Sequence, residues 1–300
     1  MLFLLFKNYL LNIIVIGDNM ILQTIHDPIT FKLGSIDIRL YSICILIAFI
    51  AVYTVFKVEA RRFNVSKDFI FNLAFWIFIL GVIGARIWYV VFNFNLYKDN
   101  LVDIFKIWEG GLAIHGGLLV GIITVILYCK KYRFRFIRLL DFIAPALLLG
   151  QAIGRWGNFF NGEAFGNAID AGILKSYLIP DFIIKGMTDA VGNTYMPTFL
   201  FESFACLVLF IIFIIIRNYR YLKVGTLTAL YFMGYGIIRF FVEFQRTDAL
   251  MIGGPDGLRV AQIVSIIFFI IGLTILISNG RKGKLDDLYN DKENVPDIKY

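Results

Sequence analysis

The sequence predicts an all-α fold: a polytopic membrane protein of seven transmembrane helices with an extracytoplasmic loop region. Composition is the first observation. Of 300 residues, 59% are hydrophobic and only 17% are charged, whereas a soluble domain carries about 25% charged residues. Mean hydropathy is +0.76. Second, the apolar residues gather in seven runs, each long enough to cross a ~30 Å hydrocarbon layer. Third, basic and less basic loops alternate between those runs along the whole chain.

The runs are residues 36–56, 69–93, 112–129, 136–153, 198–216, 225–244 and 260–278, of which the third and fourth are near the short limit. The first is followed by Lys57, Arg61, Arg62 and Lys67, and the third by Lys130, Lys131, Arg133, Arg135 and Arg138. The fifth is followed by Arg217, Arg220 and Lys223, and the seventh by Arg281, Lys282, Lys284, Lys292 and Lys299. Connections 94–111, 154–197 and 245–259 are longer and less basic. Excess Lys and Arg marks the cytoplasmic side, so the expected topology has the amino terminus outside and the carboxyl terminus in the cytoplasm. The same bias accounts for the net charge of +7. In a soluble chain that value would suggest nucleic acid; here no nucleic-acid partner is expected.

Residues 1–19, MLFLLFKNYLLNIIVIGDN, hold a short apolar stretch broken by Lys7 and Asn8. It is too short to span and lacks a small-residue cleavage site. It reads as an upstream extension before a membrane domain at 20–280. Residues 281–300 read as a polar cytoplasmic tail, disordered beyond Gly283. No internal repeat is visible, which argues against an inverted-repeat transporter.

Cys44, Cys129 and Cys206 are odd in number, form no CxxC, and lie in or beside apolar runs. They read as small core residues. His26 and His115 are far apart. With no Cys/His cluster at ligand spacing, neither a disulfide framework nor a metal site is expected.

Ionisable groups inside a span cost about 2.5–3.5 kcal/mol each on insertion scales, so those present are informative. In YFMGYGIIRFFVEFQR, Arg239 and Glu243 are four apart and share a helical face, and Arg246 extends the stripe. This is either a structural ion pair or an anion pocket, since a guanidinium can grip phosphate through two parallel hydrogen bonds. Arg86, in GVIGARIWYVVF, either snorkels to the outer interface or faces a ligand. His115 sits in EGGLAIHGGLLVG, whose glycines leave backbone N–H groups open at a helix start. It is either a satisfied core histidine or a proton-transfer group.

GRWGNFFNGEAFG, 154–166, adds Arg155, Asn158, Asn161 and Glu163 just after the fourth run. Tyr41 lies near the outer end of the first span, where belt tyrosines are common. Glu202, an acid in the fifth span, is expected to pair with one of the arginines. The expected topology brings these groups to one level, the outer leaflet. Cations beside apolar helices suit an amphiphile with an anionic head and hydrocarbon tails, which describes a phospholipid.

GRWGNFFNGEAFG resembles the signature of the prolipoprotein diacylglyceryl transferase family. HGG at 115–117, GYGIIRFFVEFQRTD at 234–248 and HDPITFKLGSIDIRLYSI at 26–43 resemble further family segments, in order, from about Met20 to the last span. One stretch departs: MPTFLFE, 196–202, keeps Pro197 and Glu202 but has Met196, Phe199 and Phe201 where many relatives are polar. The resemblance implies a seven-helix bundle with a periplasmic portion in the bacterial cytoplasmic (inner) membrane. It implies transfer of the diacylglyceryl group of phosphatidylglycerol to the lipobox cysteine of preprolipoprotein signal peptides, with release of glycerol 1-phosphate. It carries over Tyr41, Arg86, His115, Arg155, Asn158, Glu163, Arg239, Glu243 and Arg246. The expected catalytic groups are His115, Arg155 and Arg239. The expected substrate-binding groups are Tyr41, Arg86, Asn158, Asn161, Glu163, Glu202, Glu243 and Arg246. No metal or dissociable cofactor is required. His115 as base and an arginine field lowering the thiol pKa remain alternatives.

Overall fold

The computed structural model describes residues 24–33, 36–107, 110–247, 249–252 and 257–292. The expected extension at 1–19 lies outside the described residues. Seven helices among them are long and apolar enough to cross a membrane: α1 (Leu40–Arg61), α2 (Lys67–Phe92), α3 (Ile114–Lys131), α4 (Phe136–Asn161), α7 (Thr198–Ile216), α8 (Thr226–Gln245) and α9 (Val260–Gly280). Short helices α5 (Ala171–Ser176) and α6 (Asp181–Gly186) lie between the fourth and fifth. The described residues also hold two short antiparallel strand pairs, β1 (Thr30–Leu33) with β2 (Ile36–Arg39) and β3 (Met251–Ile252) with β4 (Leu258–Arg259), and 3₁₀ turns at Phe94–Leu96 and Leu101–Phe105.

Three boundaries differ from expectation by four residues or more; one is the end of the first span, at Arg61 instead of 56. The first span starts at Leu40 instead of 36, because Ile36–Arg39 pairs with β1 in the register Thr30↔Arg39. The fourth runs to Asn161, eight residues beyond the expected 153. Arg155 and Asn158 are therefore helical residues, not loop residues. The cation can stay in the helix because a carboxylate of α7 neutralises it, as described below.

The described chain forms two compact units, residues 57–139 and residues 24–56 with 140–291. In the first, Ser66 caps α2 by accepting the Phe69 N–H at 3.1 Å. Helices α2 and α3 cross at glycines. A Cβ on Gly116 would lie 2.3 Å from the Gly84 carbonyl oxygen, and one on Gly84 would lie 2.5 Å from Val120. Such close backbone approach is how helices associate where apolar burial gives no net drive.

In the second unit α8 and α9 pack along each other in the same manner, with Gly272 on the Ala229 carbonyl and Gly236 on that of Ser265. The fully buried Asp141 closes the start of α8: its carboxylate accepts the N–H groups of Gly225 and Thr228 and the Thr228 hydroxyl. An anion there also meets the positive end of the helix dipole. Cys44, Cys129 and Cys206 are buried and unbridged.

The tail is not disordered as far as residue 292. Tyr289 is fully buried, meets Phe142 edge-on at 6.1 Å, and donates its N–H to the Leu222 carbonyl at 2.7 Å. Val224 N–H bonds to the Asp287 carbonyl at 2.9 Å, and Lys282 pairs with Asp287 at 2.8 Å. Burial of one aromatic ring, with its backbone satisfied, outweighs the polar composition around it.

Residues 162–197 form a small lobe where α4 ends and α7 begins. Its core is Ile25, Phe159, Phe165, Leu174, Ile183 and Phe199, with further apolar neighbours. Phe199 stacks on Phe159 at 4.8 Å, so this phenylalanine of the divergent MPTFLFE stretch is a core residue. Met196 supplies backbone bonds to Gly166 and Asn167. In the turn at Asp189–Tyr195, the half-buried Asp189 carboxylate accepts from Val191 N–H, Asn193 N–H, the Asn193 amide and the Tyr195 hydroxyl. Desolvation opposes ionisation, but the bonds from Asn193, Tyr195 and Val191 together outweigh it and hold the carboxyl below its ordinary value.

Candidate active site

Glu202 organises the site. It lies in the first turns of α7 and is 1% exposed. Its Oε1 is 2.9 Å from Arg155 Nη2, and its Oε2 is 3.3 Å from Arg239 Nη1. One carboxylate thus holds two guanidiniums from two other helices, α4 and α8. Tyr235 donates its hydroxyl to Glu202 Oε1 at 3.1 Å, and the same hydroxyl oxygen accepts from Arg155 Nη2 at 3.4 Å. Buried cations of this kind persist only when paired and hydrogen-bonded.

The stripe on α8 continues the network. Arg239 Nη2 donates to Glu243 Oε2 at 2.5 Å, the four-residue pairing expected from the sequence. Glu243 is 2% exposed, and Arg246 Nη1 lies 4.0 Å from the same oxygen. Arg259 closes this end of the helix, donating to the carbonyls of Glu243 and Arg246. Three arginines and two acids therefore meet at the α4, α7 and α8 ends: Arg155, Arg239, Arg246, Glu202 and Glu243. The three arginine side chains remain partly accessible, at 22%, 16% and 16% of their surface, while both carboxylates are covered.

The end of α4 supplies carboxamides. Arg155 Nη1 donates to Asn158 Oδ1 at 3.3 Å, and Asn161 Nδ2 donates to Glu163 Oε1 at 2.7 Å. Asn161 is buried, and its Oδ1 has no donor among the described residues. Gly162 turns the chain with φ +68°, and a Cβ there would lie 2.7 Å from the His26 carbonyl oxygen. Tyr41, half-buried on α1, lies against Gly157 between Arg155 and Asn158. A cavity of about 430 Å³ opens between α7 and α8, with Thr198, Phe201, Ala205, Ile238, Val242 and Gln245 in its mostly apolar wall.

In the unit of residues 57–139, His115 is exposed in the first turn of α3, and no hydrogen bond engages its ring among the described residues. It is not a satisfied core histidine. Arg86 departs from both readings of the sequence. It is only 7% exposed, so it does not snorkel. Its Nε donates to Ile104 O, Nη1 to Gly110 O and Gly111 O, and Nη2 to Asp103 O and Lys106 O. A guanidinium has five N–H donors, and loop carbonyls take all of them, leaving none for a lipid head group.

Residues 28–278 match the family described as prolipoprotein diacylglyceryl transferase. The chain belongs to the prolipoprotein diacylglyceryl transferase family. Relatives named phosphatidylglycerol–prolipoprotein diacylglyceryl transferase come from Staphylococcus saprophyticus, Staphylococcus carnosus and Staphylococcus aureus. They are 43%, 40% and 39% identical over 251 residues, covering 84% of this chain and 88%, 90% and 88% of theirs. For this transferase family member the structure adds Tyr235 and Arg259 to the groups singled out from sequence. Tyr235 precedes Arg239 by one helical turn, so the spacing that joins Arg239 to Glu243 could have found it. Nothing in the local sequence marks Arg259, whose partners are backbone carbonyls.

Proposed function

We propose that this chain transfers the diacylglyceryl group of phosphatidylglycerol to the thiol of a lipobox cysteine in preprolipoproteins, releasing glycerol 1-phosphate. The single observation that carries the reading is Arg155 and Arg239 sharing Glu202, with both arginine side chains partly accessible and the carboxylate covered. The expected location is the bacterial inner membrane, amino terminus outside and carboxyl terminus in the cytoplasm, as the loop charges suggest.

The reaction is a displacement at the glycerol carbon that carries the phosphate. A carbon–sulfur bond forms, the carbon–oxygen bond to phosphate breaks, and the phosphate oxygen keeps the electron pair. Arg155 and Arg239 bind the phosphate and offset the charge developing on that oxygen. Glu202 and Glu243 orient the guanidiniums, with Arg246 beside them. Asn158, Asn161, Glu163 and Tyr41 hold the polar head, and the free Oδ1 of Asn161 suits a head-group hydroxyl. The apolar cavity between α7 and α8 suits hydrocarbon. Free cysteine is mostly protonated at neutral pH; His115, exposed and unengaged, accepts the thiol proton.

Mass spectrometry of a lipobox peptide incubated with the reconstituted protein and phosphatidylglycerol tests the activity. The expected result is a mass gain of one diacylglyceryl group. Arg155→Ala and Arg239→Ala should each slow transfer by about 10²–10³-fold. Wild-type turnover in either variant rejects the clamp, and full rate in His115→Gln removes the histidine as base.

A further inference from the structure

We infer that Arg86 is a positioning residue of the transfer reaction: it fastens residues 103–106 and 110–111 to α2 and so sets where His115 stands. The inference rests on the role proposed for His115.

The acceptors of the Arg86 guanidinium come from two stretches. Asp103, Ile104 and Lys106 belong to the 3₁₀ turn Leu101–Phe105 and its end. Gly110 and Gly111 immediately precede α3. One side chain therefore closes both ends of a loop. Gly110 and Gly111 have φ of +94° and +73°, which turn their carbonyls towards it. A Cβ on Gly111 would lie 2.5 Å from Arg86 Nη1. The Tyr97 ring covers the guanidinium at 5.2 Å. Among the described residues no carboxylate pairs with Arg86; Asp103 Oδ1 pairs with Lys106 at 2.7 Å instead. Among the described residues, it is five carbonyl dipoles that compensate the charge.

The same stretch is pinned again beside Arg86. Ala113 donates its N–H to the Ala85 carbonyl at 3.1 Å. Gly116 sits against the Gly84 carbonyl, with no room for a Cβ. His115 thus lies between two points tied to consecutive residues of α2, Gly84 and Ala85, and Arg86 holds the approach. A lysine cannot replace it. Its ammonium has three donors and no planar fork.

The test uses the full chain in nanodiscs containing phosphatidylglycerol, with a lipobox peptide as acceptor. Arg86→Lys, Gly111→Ala, His115→Gln and the Arg86→Lys/His115→Gln double variant are compared. Gly111→Ala displaces the guanidinium without removing it, which keeps the test valid if Arg86→Lys does not fold. Expected results are amide exchange over 101–113 at least about tenfold faster, with α2 unchanged. Values of kcat fall ~10–100-fold, as for a misplacement of roughly 1 Å, while KM for either substrate stays within about twofold. The double variant is no slower than His115→Gln. A raised KM for phosphatidylglycerol with unchanged exchange overturns the inference, because Arg86 would then touch lipid. So does full kcat despite faster exchange, or a double variant slower by the product of the single losses. A wild-type protein that modifies no peptide fails the functional reading instead, and exchange over 101–113 still reports on the loop.

Discussion

Arg155 and Arg239 stand on different helices and meet at one carboxylate, the two oxygens of Glu202 taking one guanidinium each at 2.9 and 3.3 Å. The pairing reconciles two needs. Two like charges must be held close enough to grip one phosphate, and neither can be left uncompensated away from water. A third group with its own negative charge, placed behind them, meets both.

Removing that group is the sharpest disturbance. Glu202→Ala leaves two partly buried cations facing one another, and breaking a buried pair costs about 3–5 kcal/mol. We expect a lower thermal midpoint in nanodiscs together with loss of transfer. Glu202→Gln, which keeps the shape and one acceptor, should fall between. Wild-type melting and turnover in Glu202→Ala would show that the bridge carries neither.

Tyr235→Phe removes only a hydroxyl that connects Glu202 to Arg155. Its ring is stacked parallel on Tyr231 at 5.9 Å and should stay there. A neutral hydrogen bond is worth about 1 kcal/mol, so the initial rate of peptide lipidation should fall roughly fivefold with the melting curve little changed. An unchanged rate would assign the hydroxyl to packing.

The glycines at the α2–α3 crossing offer a graded test. A Cβ on Gly116 meets the Gly84 carbonyl at 2.3 Å, one on Gly117 meets that of Gly81 at 3.2 Å, and one on Gly154 meets nothing within 4 Å. Thermal stability should fall most in Gly116→Ala, slightly in Gly117→Ala, and not in Gly154→Ala. Equal loss in all three would point to helix propensity, not close approach.

The Asp189 turn should respond to acid. Its carboxyl is held below the ordinary value, so the ionised form stabilises the turn. That contribution is complete above the unfolded value near 4 and fades as pH falls through the lower folded value. Amide exchange of residues 189–195, corrected for intrinsic rates, should speed up below about pH 4, and Asp189→Asn should show the faster exchange already at neutral pH. A pH-independent profile would remove the carboxylate from the account.

Much of this protein is legible along the chain. Arg239 and Glu243 pair as their spacing demands, and Glu202 pairs too, though with two arginines and not one. Other features resist a local reading. Arg155 looks like a residue just beyond a span, yet it is helical, because the charge that permits it lies on α7. Tyr289 looks like part of a polar tail, yet it is buried under Phe142. Arg86 has no acidic neighbour at helical spacing, and its partners are carbonyls that any residue could offer.

The sequence by itself determined the seven spans, the class of molecule and the family, because transfer from water to hydrocarbon is summed over about twenty consecutive side chains. Tertiary structure alone decided which cations share an anion, how far α4 runs, and what Arg86 holds. Those depend on where distant helices touch. A buried charge takes its cost from the partner it finds there, and that partner is not written beside it.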